Sequence, residues 1–235
     1  MIKLIKLEWK KNNIKKYTIA ALILAAALCL FIFALAYLGI ANDPETGVPD
    51  AAPGNDTISA PIELFTGMSF LVFTSAMLAS FIVGAYKNKT MNLMFSYPIK
   101  RQKILTSQML AVWSFNFTAL TLTKLLLYGT VLLGSRFWAP AFAIDFDMAG
   151  FGFYIQLLLK SAVTITMGFI ALFIGLAMKS SKATVISSFL LILLTQANVG
   201  DFTMSGNAAF PLVLTGISVL FALLSVREVE TKDLM

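Results

Sequence analysis

Long uncharged apolar runs alternate with short basic breaks along this chain. The first run carries no charge from Tyr17 to Asn42, the second none from Leu64 to Tyr86, and the last none from Phe202 to Val226. A helix needs about 20 apolar residues to cross the hydrocarbon of a bilayer. By that measure six spans are expected, at roughly 17–41, 61–86, 106–133, 150–178, 183–199 and 209–226. The fifth is the shortest, and the third and fourth are each interrupted by one lysine, Lys124 and Lys160. Nothing outside these runs is long enough to bury a core of its own. The expected fold is therefore all-α: a polytopic membrane protein forming a single transmembrane domain over 1–235.

The segment 1–16 is too polar to span, yet it has helical spacing. Ile2, Ile5 and Trp9 fall on one stripe, with Lys3, Lys6 and Lys10 beside it. This predicts an amphipathic interfacial helix with Trp9 towards lipid and the lysines towards anionic headgroups. Leu4 and Leu7 lie off the stripe, so a plain basic anchor is the competing reading. The apolar run that follows ends in Ala34-Leu35-Ala36, as a signal peptide does, but it is too long for a signal-peptide core and is expected to be retained.

Charge then orients the chain. Lys3, Lys6, Lys10, Lys11, Lys15 and Lys16 precede the first span, and Lys87, Lys89, Lys100, Arg101 and Lys103 separate the second from the third. Lys179 and Lys182 follow the fourth, and Arg227 and Lys232 follow the sixth. The opposite side holds Arg136 against Asp43, Glu45, Asp50, Asp56, Asp145, Asp147 and Asp201. The positive-inside rule puts both termini in the cytoplasm of a multi-pass plasma-membrane protein. Composition agrees: 58% of residues are hydrophobic and only 13% charged, against about 25% charged in soluble domains. The net charge of +6 is spread between spans, so it is no nucleic-acid footprint.

Absent chemistry narrows the function further. The chain has no histidine, which removes the commonest general base and metal ligand; no metal site is expected. No Gly-Lys pair occurs, so there is no P-loop. No carboxylate is expected at mid-membrane depth, where ion-coupled carriers usually place one. Cys29, inside the first span, reads as a small apolar filler. Catalysis by this chain alone is not expected, and neither is self-sufficient secondary transport.

Lys124 and Lys160 each lie about nine residues inside the far ends of their spans, roughly 14 Å deep. Each either snorkels to an interface along its stem or faces a wet cavity or subunit boundary that supplies negative charge. Glu63 is the one intrachain carboxylate within conceivable reach. Lys124, Lys160 and Glu63 are accordingly the candidate substrate or cavity residues.

The break at 87–105 carries more than charge. It contains Leu93-Met94-Phe95-Ser96-Tyr97-Pro98-Ile99-Lys100-Arg101, with two aromatic side chains suited to anchoring in a pocket and a proline suited to starting a helix. With six spans and an amphipathic amino-terminal helix, this pattern resembles type-2 (ABC-2) ABC transporter permeases. The 93–101 run is similar to that of small Gram-positive exporters of bacteriocins and antimicrobial peptides. The resemblance implies that Leu93–Arg101 is a coupling segment that docks on a separate ATPase. It implies two ATPase subunits that bind ATP and magnesium, with no cofactor in this chain. It also implies a second permease, identical or related, and contact with membrane lipids but not nucleic acid. The expected function is export of a peptide or amphiphile. A non-transporting scaffold or sensor subunit and an ABC ion exporter remain as alternatives.

Overall fold

The computed structural model describes residues 2–37, 58–87, 101–137, 146, 148, 150–195, 198–199, 202–203 and 209–231. Its elements follow the apolar runs closely: α1 (Ile2–Lys11), α2 (Ile14–Tyr37), α3 (Ser59–Leu78), a π-helical turn (Ala79–Val83), α4 (Gly84–Lys87), α5 (Arg101–Phe137), α6 (Phe151–Ala177), α7 (Ser181–Thr195) and α8 (Ala209–Thr231). Among the described residues the protein is all-helical apart from a two-residue antiparallel pair, Asn198–Val199 with Phe202–Thr203.

Four helical runs are long and apolar enough to cross a membrane: Ile14–Ala36, Ser59–Tyr86, Gln102–Arg136 and Phe151–Ala177. Two further apolar helices, Ser181–Thr195 and Leu212–Arg227, are shorter. At 1.5 Å per residue, α7 with its 15 residues reaches about 22 Å, less than a hydrocarbon core of about 30 Å. By the same measure α5, with 37 residues, is about 55 Å long and outruns it. Its two ends carry Arg101 and Lys103, and Arg136, as a helix emerging into polar surroundings should.

By internal contacts the chain forms two units. One comprises Met1–Ile14, Phe70–Phe117 and Ala162–Met235, the other Lys15–Ser69 and Thr118–Ser161. In the second unit α2 buries a narrow stripe, Ala21, Ala25, Leu28, Ile32 and Ala36, while Ile19, Leu22, Ile23 and Leu30 remain exposed. The stripe follows helical spacing and is rich in alanine, which lets helix backbones approach closely. Apolar side chains on the outward face mark a helix whose solvent is lipid rather than water. Phe31 of α2 meets Phe65 of α3 edge to face at 4.8 Å.

In the first unit Leu71, Met167, Ile170, Ala171, Leu191 and Leu214 form a common core. Helix α6 approaches its neighbours through glycine. A Cβ at Gly168 would stand 3.0 Å from Thr74 Cγ2, and one at Gly175 would run into the Thr184 side chain of α7. The turn after α6 closes as a Schellman motif: Ser180 N donates to Gly175 O and Lys179 N to Leu176 O, with Lys179 left-handed at φ 49°. Asn13, at φ 50°, is likewise left-handed after the end of α1. The α1 helix therefore stops before Ile14, and Lys15 and Lys16 belong to α2 rather than to the interfacial helix.

Buried hydroxyls are common but spoken for. Thr66, Thr74, Ser75, Ser161, Ser187, Ser218 and Ser225 each donate to a backbone carbonyl three or four residues back in their own helix. This local pairing lets serine and threonine sit in an apolar interior without a partner from elsewhere.

Candidate functional site

The coupling segment expected at Leu93–Arg101 lies outside the described residues except for Arg101, whose backbone opens α5. The structure does define what meets the first third of α5. Trp9 Nε1 of α1 donates to Ala111 O at 3.0 Å. The residue before it, Glu8, is 7% exposed, and its carboxylate accepts from Gln108 Nε2 at 3.4 Å and from Asn12 Nδ2 at 3.3 Å. A buried carboxylate needs such donors, because an unsatisfied one would be costly.

Trp9 thus differs from the expected orientation towards lipid: its indole N–H is turned onto α5. The interfacial reading of Lys3, Lys6 and Lys10 keeps its geometry, since all three are exposed on the opposite face. Leu7 is exposed among them. Pattern alone located the helix but not the partner that sets its roll. Glu8 carried a usable signal, as an acid in a lysine-rich helix with Asn12 four residues on.

The second cluster joins two of the candidate cavity residues. Lys124 Nζ of α5 lies 2.5 Å from Glu63 Oε2 of α3, with the two side chains 1% and 22% exposed. Tyr128, one turn beyond Lys124 and therefore on the same face, donates from its hydroxyl to Glu63 Oε1 at 3.3 Å. Its ring sits edge to face against Phe146 at 4.7 Å and Phe153 at 4.9 Å. Lys124 thus pairs with Glu63, the one intrachain carboxylate expected within conceivable reach, which lies within the first two turns of α3. The reach of a four-carbon lysine stem plus a glutamate makes the pair possible. Sequence reasoning missed Tyr128, although its spacing of four from Lys124 was available. Lys160 of α6 is exposed; the ion pair at this cluster is between Lys124 and Glu63.

Two buried amides complete the polar inventory of α5. Asn116 Nδ2 donates to Val112 O at 2.9 Å and approaches Met77 Sδ at 3.3 Å. Among the described residues, Asn116 Oδ1 and Gln108 Oε1 have no hydrogen-bond partner. Trp113 Nε1 donates to Thr166 Oγ1 of α6 at 3.1 Å. No group of three or more His, Cys, Asp or Glu among the described residues is arranged to hold a metal ion.

Comparison with known proteins yields a relative without an assigned activity. Over 240 residues, covering 98% of this chain and 99% of the other, the sequence is 24% identical to the uncharacterized protein YcbO of Bacillus subtilis (strain 168). No family model and no solved structure matches the chain. The alignment runs over nearly the full length of both chains, not one segment of them.

Proposed function

We propose that this chain is the membrane permease subunit of an ATP-driven exporter of the ABC-2 class, moving a peptide or amphiphile out of the cell or its membrane. In this reading the six apolar helices all span, both termini are cytoplasmic, and two permeases enclose the path. Two separate ATPase subunits supply the energy by docking on 93–101.

The observation that supports the reading most is the construction of α5. It starts at Arg101, immediately behind the proposed docking segment, and continues as unbroken α-helix to Phe137. Its first turns are gripped from the side by α1 through Trp9 and Glu8. A push on 93–101 is thus delivered to the end of a long helix rather than dissipated in a loop, and rigid elements of this kind carry alternating-access motions. The same helix bears Lys124 and Tyr128, so movement of α5 bears on the Glu63 cluster.

Co-purification tests the proposal. Co-expressed with a candidate ABC ATPase from the same organism, the chain is expected to form a complex that survives detergent extraction and hydrolyses ATP. Phe95→Ala and Tyr97→Ala should each reduce association about tenfold or more, the usual cost of losing an interface anchor. If association and ATP hydrolysis are unchanged in both variants, 93–101 is not the docking segment. If no ATPase associates with the parent chain, the exporter assignment fails.

A further inference from the structure

An open cleft of about 870 Å³ lies in the first unit where the end of α1, the π-helical turn and the start of α7 converge. One part of its lining is polar and basic: Lys11, Asn12, Ser80, Ser181 and Lys182. The other is apolar, with Phe81, Val185 and Ile186. None of the described residues lining it is acidic.

The position of this polarity boundary matters. Lys11 is the last residue of α1, three before α2 begins, and Lys182 is the second residue of α7, immediately before its apolar run. Both lysines are exposed. The cleft is therefore built across a change from basic to apolar surface, as headgroup and acyl chain change along a phospholipid.

The π-helical turn contributes to this shape. Gly84 N–H bonds to Ala79 O, five residues back, which widens the helix and accommodates an extra residue in one turn. Ala79, Phe81, Ile82 and Val83 are buried there while Ser80 is exposed at the cleft. Such turns recur at functional positions.

We propose that this cleft is a binding site for a single anionic phospholipid. Lys11 and Lys182 hold the phosphate, and the acyl chains run along Val185 and Ile186. Two ammonium groups above an acid-free apolar wall favour an anionic lipid over a zwitterionic one. A free phosphate would leave the apolar wall unused. The inference requires a membrane setting but does not depend on the exporter reading.

Native mass spectrometry of the full chain in detergent, titrated with dioleoylphosphatidylglycerol or dioleoylphosphatidylcholine, tests the site. One phosphatidylglycerol is expected to bind in preference to phosphatidylcholine. Lys11→Gln and Lys182→Gln should each weaken it about fivefold, and together about 25-fold. Lys103→Gln/Arg136→Gln removes the same charge from exposed positions outside the cleft and should leave the tight site unchanged. Ala76→Trp, at an exposed lining position, should block it by filling the cleft. All variants are checked for an unaltered thermal midpoint, so that loss of binding is not loss of fold.

Equal binding of the two lipids would overturn the proposal, as would equal weakening by Lys103→Gln/Arg136→Gln. Displacement of phosphatidylglycerol by millimolar inorganic phosphate would show a phosphate site instead, and would also overturn it.

Discussion

Removing Glu63 should damage this protein more than removing Lys124, although the two form one ion pair. At the observed 2.5 Å and an effective dielectric near 20, their attraction is on the order of 6–7 kcal/mol. Desolvation of the two ions offsets most of it, at several kcal/mol each, so the intact pair contributes little net stability. Breaking it is another matter. Glu63→Gln leaves Lys124, whose side chain is 1% exposed, as a stranded charge, and such losses cost about 3–5 kcal/mol. Tyr128 also loses a charged acceptor, and neutral acceptors bind roughly half as strongly. Lys124→Met leaves Glu63, whose side chain is 22% exposed and still has the Tyr128 donor, so about 1–2 kcal/mol is expected. The double variant Glu63→Gln/Lys124→Met removes both charges at similar volume and should return to within about 1 kcal/mol of the parent.

The assay is equilibrium unfolding in mixed micelles, read by tryptophan fluorescence and run as a double-mutant cycle. A coupling energy of about 3–6 kcal/mol follows from these values, at or above the upper end for residues in contact. Single variants both within about 0.5 kcal/mol of the parent would refute the reasoning. So would a double variant as unstable as the sum of the two.

Other expectations follow from single contacts. Gly175→Ala drives a methyl group into Thr184 and should cost about 1–3 kcal/mol; adding Thr184→Gly should recover most of it in the same unfolding assay, and no recovery would mean the strain lies elsewhere. Trp9→Phe keeps the ring but loses the bond to Ala111 O. It should cost about 1 kcal/mol and speed hydrogen exchange across α1, an effect that Leu7→Ala on the exposed face should not reproduce. Asn13→Val places a β-branched residue at φ 50°, where such residues are outliers, and should lower the thermal midpoint by more than Asn13→Gly does.

Much of the fold was legible because lipid leaves few options. Uncharged runs had to be helices, and the helices do fall on the runs, with ends displaced by a few residues where capping intervenes. Asn13 is such a case: a left-handed residue between Lys11 and Ile14 divides what looked like one basic segment. Contacts between helices were less legible, for a physical reason. On a chain with apolar side chains on all sides, the pattern does not say which face meets protein. The roll of α1 is set by the carbonyl of Ala111, a hundred residues away, and not by its own stripe. Glu63 and Lys124 were both singled out, yet their meeting depends on where α3 and α5 stand relative to one another. The π-helical turn at Ala79–Val83 has no compositional mark at all.

The bond between Trp9 and Ala111 spans 102 positions in the chain. At roughly 5–20 residues per second of synthesis, α1 is made about 5–20 s before the carbonyl that receives it. During that interval α1 has no α5 to hold. Its lysines and exposed Leu7 give it a place to wait, on the surface of the membrane, until the third long apolar helix arrives. The contact that turns the Trp9 indole onto α5 therefore cannot form until nearly half of the chain has been made, and the helix first in sequence must wait for its final orientation.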